Sequence, residues 1–197
     1  MAVQRGKIDL AFASEHFTLR SLTIADASRR WAEWLNDPVA ARMLNAKPRS
    51  LGEPELRDYI LSFDQVSRLL VGIFDRASGR HVGIATGHIS DDGLKIQPSV
   101  LIGEPEFRHL GAVSELADAV VDHLFAKLGF HAMTSTILAH NQAAIDLVEK
   151  RGWVMTQRLA RAKKSFTTGE VYDVLVYEFT RETWSQQKQQ KQQQASP

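Results

Sequence analysis

Cysteine is absent from the chain. That removes three chemistries together: a disulfide framework, a thiolate metal site and a cysteine nucleophile. Long apolar runs are missing too; no stretch approaches the ~18 uninterrupted apolar residues of a membrane span. The opening residues, MAVQRGKIDLAFASEHF, lack the apolar core of a signal peptide, so the expected location is cytoplasmic. Charge of one sign is scarce: 24 basic against 23 acidic side chains leave a net +1. No field of that size recruits nucleic acid or a membrane surface. Neither Gly-x-Gly-x-x-Gly nor Gly-x-x-x-x-Gly-Lys-Ser/Thr occurs, which weakens a reading as a nucleotide-binding regulatory domain.

What is present suits one ordinary domain. The 197 residues are 44% hydrophobic and 24% charged, enough for a sizeable core. We expect a loose N-terminal arm over 1–16, a single domain over 17–184 and a disordered Gln/Lys tail over 185–197. A tract such as QQKQQKQQQ has no apolar surface to offset its ordering entropy.

The organising stretch is 98–128. Val100-Leu101-Ile102 reads as the end of a strand, Gly103 and Pro105 as a loop, and the segment after Arg108-His109-Leu110-Gly111 as a helix. Val113, Leu116, Ala117, Val120, Val121, Leu124, Phe125 and Leu128 recur at three- and four-residue spacing, so one helical face is buried. A helix entered through glycine presents unpaired amides that suit an anion.

Upstream, FTLRSL (17–22) alternates as a half-buried strand does. Thr23 with Asp26 resembles a helix start carrying Trp31 and Trp34; Asn36-Asp37-Pro38 ends it, and 39–44 forms a second helical piece. Helical spacing recurs over 53–63. Runs 69–75 and 81–90, and the strand ending at Ile102, are joined by short turns and make an antiparallel meander. Downstream the order is strand (131–138), helix (142–151), strand (154–161) and strand (171–179). The fold class is therefore α/β (α+β): a mixed, mostly antiparallel sheet of about six to seven strands with helices on both faces.

Three motifs stand in order. The first is Arg108-His109-Leu110-Gly111-Ala112-Val113. The second is Asn141, followed by Glu149-Lys150-Arg151-Gly152-Trp153. The third is Gly169-Glu170-Val171-Tyr172-Asp173, with Trp184 beyond. Together they resemble the GNAT superfamily of acyl-CoA-dependent N-acetyltransferases, and most closely the branch of the ribosomal-protein N-terminal acetyltransferases. The resemblance runs from about Phe17 to Trp184.

It implies that amides across 108–113 cradle the pyrophosphate of acetyl-CoA. Main-chain groups of Val100, Leu101 and Ile102 would pair with the pantetheine arm as a pseudo-strand, and Asn141 would hold that arm from the other side. It also points to the Leu101 amide as oxyanion donor, and to Trp34, Asp37 and Arg42 as acceptor-binding. Departures are visible: Val113 and His109 replace small residues, and Ala144 and Val148 stand where relatives place Ser or Tyr as proton donor to the departing thiolate.

From the residues themselves, strand alternation puts Lys95, Gln97, Ser99 and Leu101 on one face, so Gln97 or Ser99 can order a water. His88, on the neighbouring strand, carries an imidazole, the side chain most used for proton transfer. Glu104 and Glu106 read as solvated charges. Arg158, Arg161, Lys163 and Lys164 could meet an acidic acceptor or simply face water. The expected activity is acetyl transfer from acetyl-CoA to a primary amine, either a protein N-terminus or a small amine. An amino-sugar acceptor, and a CoA-binding module without turnover, stand as alternatives. No metal, nucleic-acid or membrane partner is expected, and the chain is read as a monomer or homodimer.

Overall fold

The fold grows from the meander that the alternation anticipates. In the computed structural model, which describes residues 2–38, 50–108, 111–166 and 168–195, strands β1 (Ala11–Ala13), β2 (Phe17–Ser21), β3 (Arg68–Asp75), β4 (His81–Ile89) and β5 (Lys95–Ile102) pair antiparallel in chain order. β6 (Ala132–Leu138) joins β5 in parallel, and β8 (Val171–Thr180) lies between β6 and the outer strand β7 (Val154–Lys164). The sheet thus has eight strands rather than six or seven. The additional one, β1, spans three residues of the arm expected to be loose.

That arm is tied at several points. The Val3 amide donates to the Asp92 carbonyl at 2.7 Å, and Arg5 donates to the carbonyls of Gly93 and Leu128 at 2.7 and 2.8 Å. The Arg5 guanidinium also lies 3.7 Å over the Phe130 ring.

Helices cover both faces. Thr23 and Asp26 hold only a 3-10 turn (Ile24–Asp26), so the helix begins later than expected: α1 (Arg29–Asn36) starts where the Ser28 hydroxyl accepts from the Trp31 amide. With α2 (Glu53–Leu61), it packs Trp31, Trp34, Leu56 and Ile60 against Leu70, Ile84 and Leu101. On the opposite face lies α4 (Ala112–Asp122), entered through the short α3 (Pro105–Arg108) and continued as a π-turn (His123–Lys127). It and α5 (Gln142–Glu149) bury Leu116, Leu124, Phe125 and Ile145 against Val71, Ile96, Met133 and Ile137. The expected helical piece over 39–44 lies outside the described residues.

The last helix, α6 (Arg181–Ala195), runs through the Gln/Lys tract that reads as disordered. Gln and Lys are good helix formers, and the helix is anchored on its near half. Trp184 donates to Asp122 at 2.8 Å, Gln187 donates to the Arg151 carbonyl at 3.0 Å, and Lys188 bonds Asp122 at 2.5 Å. Among the described residues no helix is long and apolar enough to cross a membrane.

Candidate active site

A cleft opens where β5 and β6 part. They pair at Lys95 with Ala132 and at Ile96 with Met133. Pro98, two residues on, carries no N–H with which to continue the ladder. From there the strands diverge around a space lined by Gln97, Pro98 and Ser99 on one side and residues 135–138 on the other. Asn141, the N-cap of α5, and Ala144, Leu147 and Val148 along that helix line a further side, and Lys163 and Val174 complete the lining. At the apex Gln97 Nε2 donates to Thr136 Oγ1 at 3.0 Å, bridging the two strands.

The β4–β5 register decides which amides face this cleft. Gly103 N donates to the Val82 carbonyl at 2.9 Å and Ser90 N to the Lys95 carbonyl at 3.0 Å. Antiparallel alternation between these points turns the N–H and C=O of odd-numbered β5 residues toward β4. Leu101, opposite Ile84, therefore spends its amide within the sheet, contrary to its expected role as donor. Val100 and Ile102 turn theirs outward, and Ile102's carbonyl already accepts from Arg108 Nε at 2.9 Å.

Arg108 does not reach into solvent for an anion. Its guanidinium folds back on the carbonyls of Ile102 and Gly103 and stands 4.0 Å from Asp37. His109 and Leu110 lie outside the described residues. Gly111 caps α4 in the left-handed region, φ +68, with open space where a Cβ would point. The amides of Ala112 and Val113 are the first of the helix, where no preceding turn supplies an intrahelical acceptor; Ala112 is buried and Val113 exposed.

The loop before α3 is held by a buried charge that reads from sequence as solvated. Glu104 is 3% exposed. Arg30 grips its two oxygens at 2.6 and 2.8 Å, and Trp34 Nε1 donates at 3.2 Å. The Arg30 hydrogen bonds hold its carboxyl below the usual carboxylate range. Beside it Gly103 touches the Trp34 indole so closely that a Cβ would lie 2.0 Å from Cδ2. Trp34, expected in the acceptor wall, is therefore a buried brace of the loop. Glu106 is exposed, 3.1 Å from Arg80. Arg42 lies outside the described residues.

His88, Gln97, Ser99 and Thr86 share one sheet face through the register His88 to Gln97 and Thr86 to Ser99. Gln97 and Ser99 line the cleft; His88 is exposed one strand away. Asn141 caps α5, its side-chain oxygen accepting from the Ala144 amide at 3.2 Å. Ala144 and Val148 do face the cleft and bring no hydroxyl.

Beside Ser99 two further hydroxyls line the cleft, Ser135 and Thr136; sequence reasoning missed them, although Thr134-Ser135-Thr136 is an unusually polar run for a strand core. Tyr177 is spent elsewhere: its hydroxyl donates to Glu149 at 2.7 Å, and that bond pushes its pKa up to about 12. Of the basic cluster, Arg158 pairs with Asp173 at 2.7 Å, while Lys163 reaches the cleft. Among the described residues no group of three His, Asp or Glu gathers as a metal site would require.

Two parallel strands that part beside a helix entered through glycine leave an open cleft in the sheet. Residues 16–154 match the acetyltransferase (GNAT) domain, and the chain belongs to that family. It is similar to a spermidine N-acetyltransferase from Vibrio cholerae solved in complex with CoA and spermine: TM-score 0.75, 19% identity, 86% of this chain and 98% of that one. It is also similar to an acetyltransferase of the GNAT family from Bacillus anthracis (TM-score 0.74, 16% identity, 88% and 99% covered). A third likeness is to the ribosomal-protein-S5-alanine acetyltransferase from Vibrio fischeri (0.73, 13%, 89% and 99%). No curated protein matches the chain.

Proposed function

We propose that the protein transfers an acetyl group from acetyl-CoA to a primary amine, on a protein N-terminus or a small molecule, by direct attack in a ternary complex. The observation that carries this reading is the cleft itself: β5 and β6 separate beyond Ile96 and leave Val100 with both main-chain groups turned into the gap. The pantetheine amides complete that edge as a strand would. The pyrophosphate lies at the amides of Ala112 and Val113, with Gly111 allowing close approach. Asn141 lines the arm's other side.

In the reaction the amine nitrogen bonds to the thioester carbonyl carbon, the C–S bond breaks, and CoA leaves as thiolate. The carbonyl oxygen gains negative charge, and the Val100 amide, rather than that of Leu101, is oriented to stabilise it. The attacking amine must lose a proton. Gln97, fixed by Thr136, and Ser99 position a water for that step, with His88 as the neighbouring proton acceptor. The acceptor approaches on the face that carries Thr86, His88 and Ser99, beside Asp37 and α1. Ser135 or Thr136, or water, reprotonates the thiolate, since Ala144 and Val148 offer nothing.

The absence of a hydroxyl at those two positions favours a second reading, a CoA-binding module without turnover. Thiol release across a panel of primary amines separates the two. Acceleration by at least one amine supports transfer; tight acetyl-CoA binding with no accelerated release for any amine supports the module. Gly111→Glu places charge and bulk at the phosphate site and should abolish binding. Undiminished affinity in that variant overturns the placement.

A further inference from the structure

A second cavity lies beneath β5, on the α4 face of the sheet. Pro98 lines both it and the cleft, and Val100, whose amide faces the cleft, turns its side chain into it. Leu10, just before β1, and Leu19, Val71 and Ala85 from β2, β3 and β4 form its roof, and Ile96 stands at the point where β5 and β6 rejoin. Its floor is Val120 and the π-turn residues His123 and Leu124. Apart from Thr86 and His123 the lining is hydrocarbon, and the His123 ring is stacked on Phe12 with centroids 4.2 Å apart.

Protein interiors hold few voids, so this one calls for a reason. Ala85 is the small residue among its aliphatic neighbours, and the π-turn resets the helix register where the floor begins. With so few polar partners the space does not hold ordered water, and apolar cavities of this kind bind apolar guests. Its place matters more than its size. A pantetheine arm running along β5 from the α4 N-terminus toward Ile96 ends beside Pro98, which puts the acyl group at the cavity's entrance.

Resting on the acyl-CoA reading above, we propose that the cavity is an acyl-chain pocket and that the protein accepts thioesters longer than acetyl. The space, about 40 Å³ and partly open to solvent, is about three times the ~10–15 Å³ that one water needs, so a chain of about four carbons fits. Hydrocarbon beyond the second carbon passes Pro98 and lies between Ala85 and Leu124.

Calorimetric titration with CoA and with acetyl-, butanoyl-, hexanoyl- and octanoyl-CoA tests this. Each buried methylene improves affinity up to about four-fold, so butanoyl-CoA should bind about ten-fold more tightly than acetyl-CoA. Ala85→Leu fills the pocket and should erase that gain while acetyl-CoA affinity stays within about two-fold. Leu10→Ala enlarges it and should move the tightest binder from butanoyl- to hexanoyl-CoA, an independent reading should Ala85→Leu fail to fold. Flat or falling affinity with chain length, while acetyl-CoA still binds, overturns the pocket and leaves the cleft standing. So does equal loss of acetyl- and butanoyl-CoA binding in a folded Ala85→Leu protein. If neither CoA nor acetyl-CoA binds, the cleft reading falls and the pocket with it.

Discussion

Gly103 and Glu104 show how much positioning two adjacent residues can carry. The indole of Trp34 lies against the glycine Cα, and its Nε1 donates to the carboxylate that follows. Gly103→Ala should cost on the order of 3 kcal/mol in urea unfolding, because neither a backbone nor a buried indole can give the distance required. Glu104→Gln keeps the shape but removes the charge that Arg30 grips. With Arg30 half exposed, the loss should be about 1–3 kcal/mol, together with weaker CoA binding through the loop that carries Arg108.

His81 titrates in the same cluster, packed between Trp31, Trp34 and Phe74. Burial lowers its pKa from 6.5 to about 4. The unfolded chain therefore takes up the proton first. Stability is full above pH 6.5 and falls as pH drops from there toward 4, by about 3 kcal/mol across that window. Asp26, held near 2 chiefly by the Arg20 hydrogen bond, adds a further loss below pH 3.8. His81→Phe should flatten the decline between pH 6.5 and 4 in denaturant titrations; an unchanged slope assigns it to other groups.

At the scale of elements, the split between β5 and β6 is the central feature, and its cause is partly written in Pro98. The meander and the long helix were legible because both rest on local periodicity and turn chemistry. The amide that faces the cleft was not legible: Val100 or Leu101 depends on pairing with β4, which no short window encodes. Nor was the burial of Glu104, whose partner Arg30 stands 74 residues away. β1 escaped notice because three residues carry almost no pattern. The final helix was misjudged from composition, since its anchors, Trp184, Gln187 and Lys188, act through side chains of other elements. Deleting residues 186–197 removes two of those three bonds, one of them exposed. The expected cost is about 1 kcal/mol, a fall in Tm of about 2–4 °C.

For the whole molecule, binding at the cleft couples its two walls. Among the described residues the β1–β5 side and the β6–β8 side pair at two strand positions, reinforced by the His131 amide donating to the Leu94 carbonyl at 2.8 Å, by Gln97 with Thr136 and by Lys95 with Glu178 at 2.6 Å. A ligand that bridges both sides stabilises the native state by about 2.7 kcal/mol at a hundred times its Kd. That predicts a rise in Tm of about 5–11 °C with saturating CoA, readable by scanning fluorimetry. Gln97→Ala should lower Tm modestly and slow thiol release more than it weakens CoA binding, since it loosens the apex where the water is placed.

At the far margin, β7 presents eleven exposed residues, Val154, Met155 and Leu159 among them. Its pairing with β8 slips twice, and Arg161 sits at φ +51 within the second slip, between Leu159 and Lys163. A strand so bent offers an incoming chain no straight run of donors and acceptors to copy. The outermost rim is thereby armoured against fibre growth by its own irregularity, and smoothing those kinks should make concentrated solutions prone to gelling.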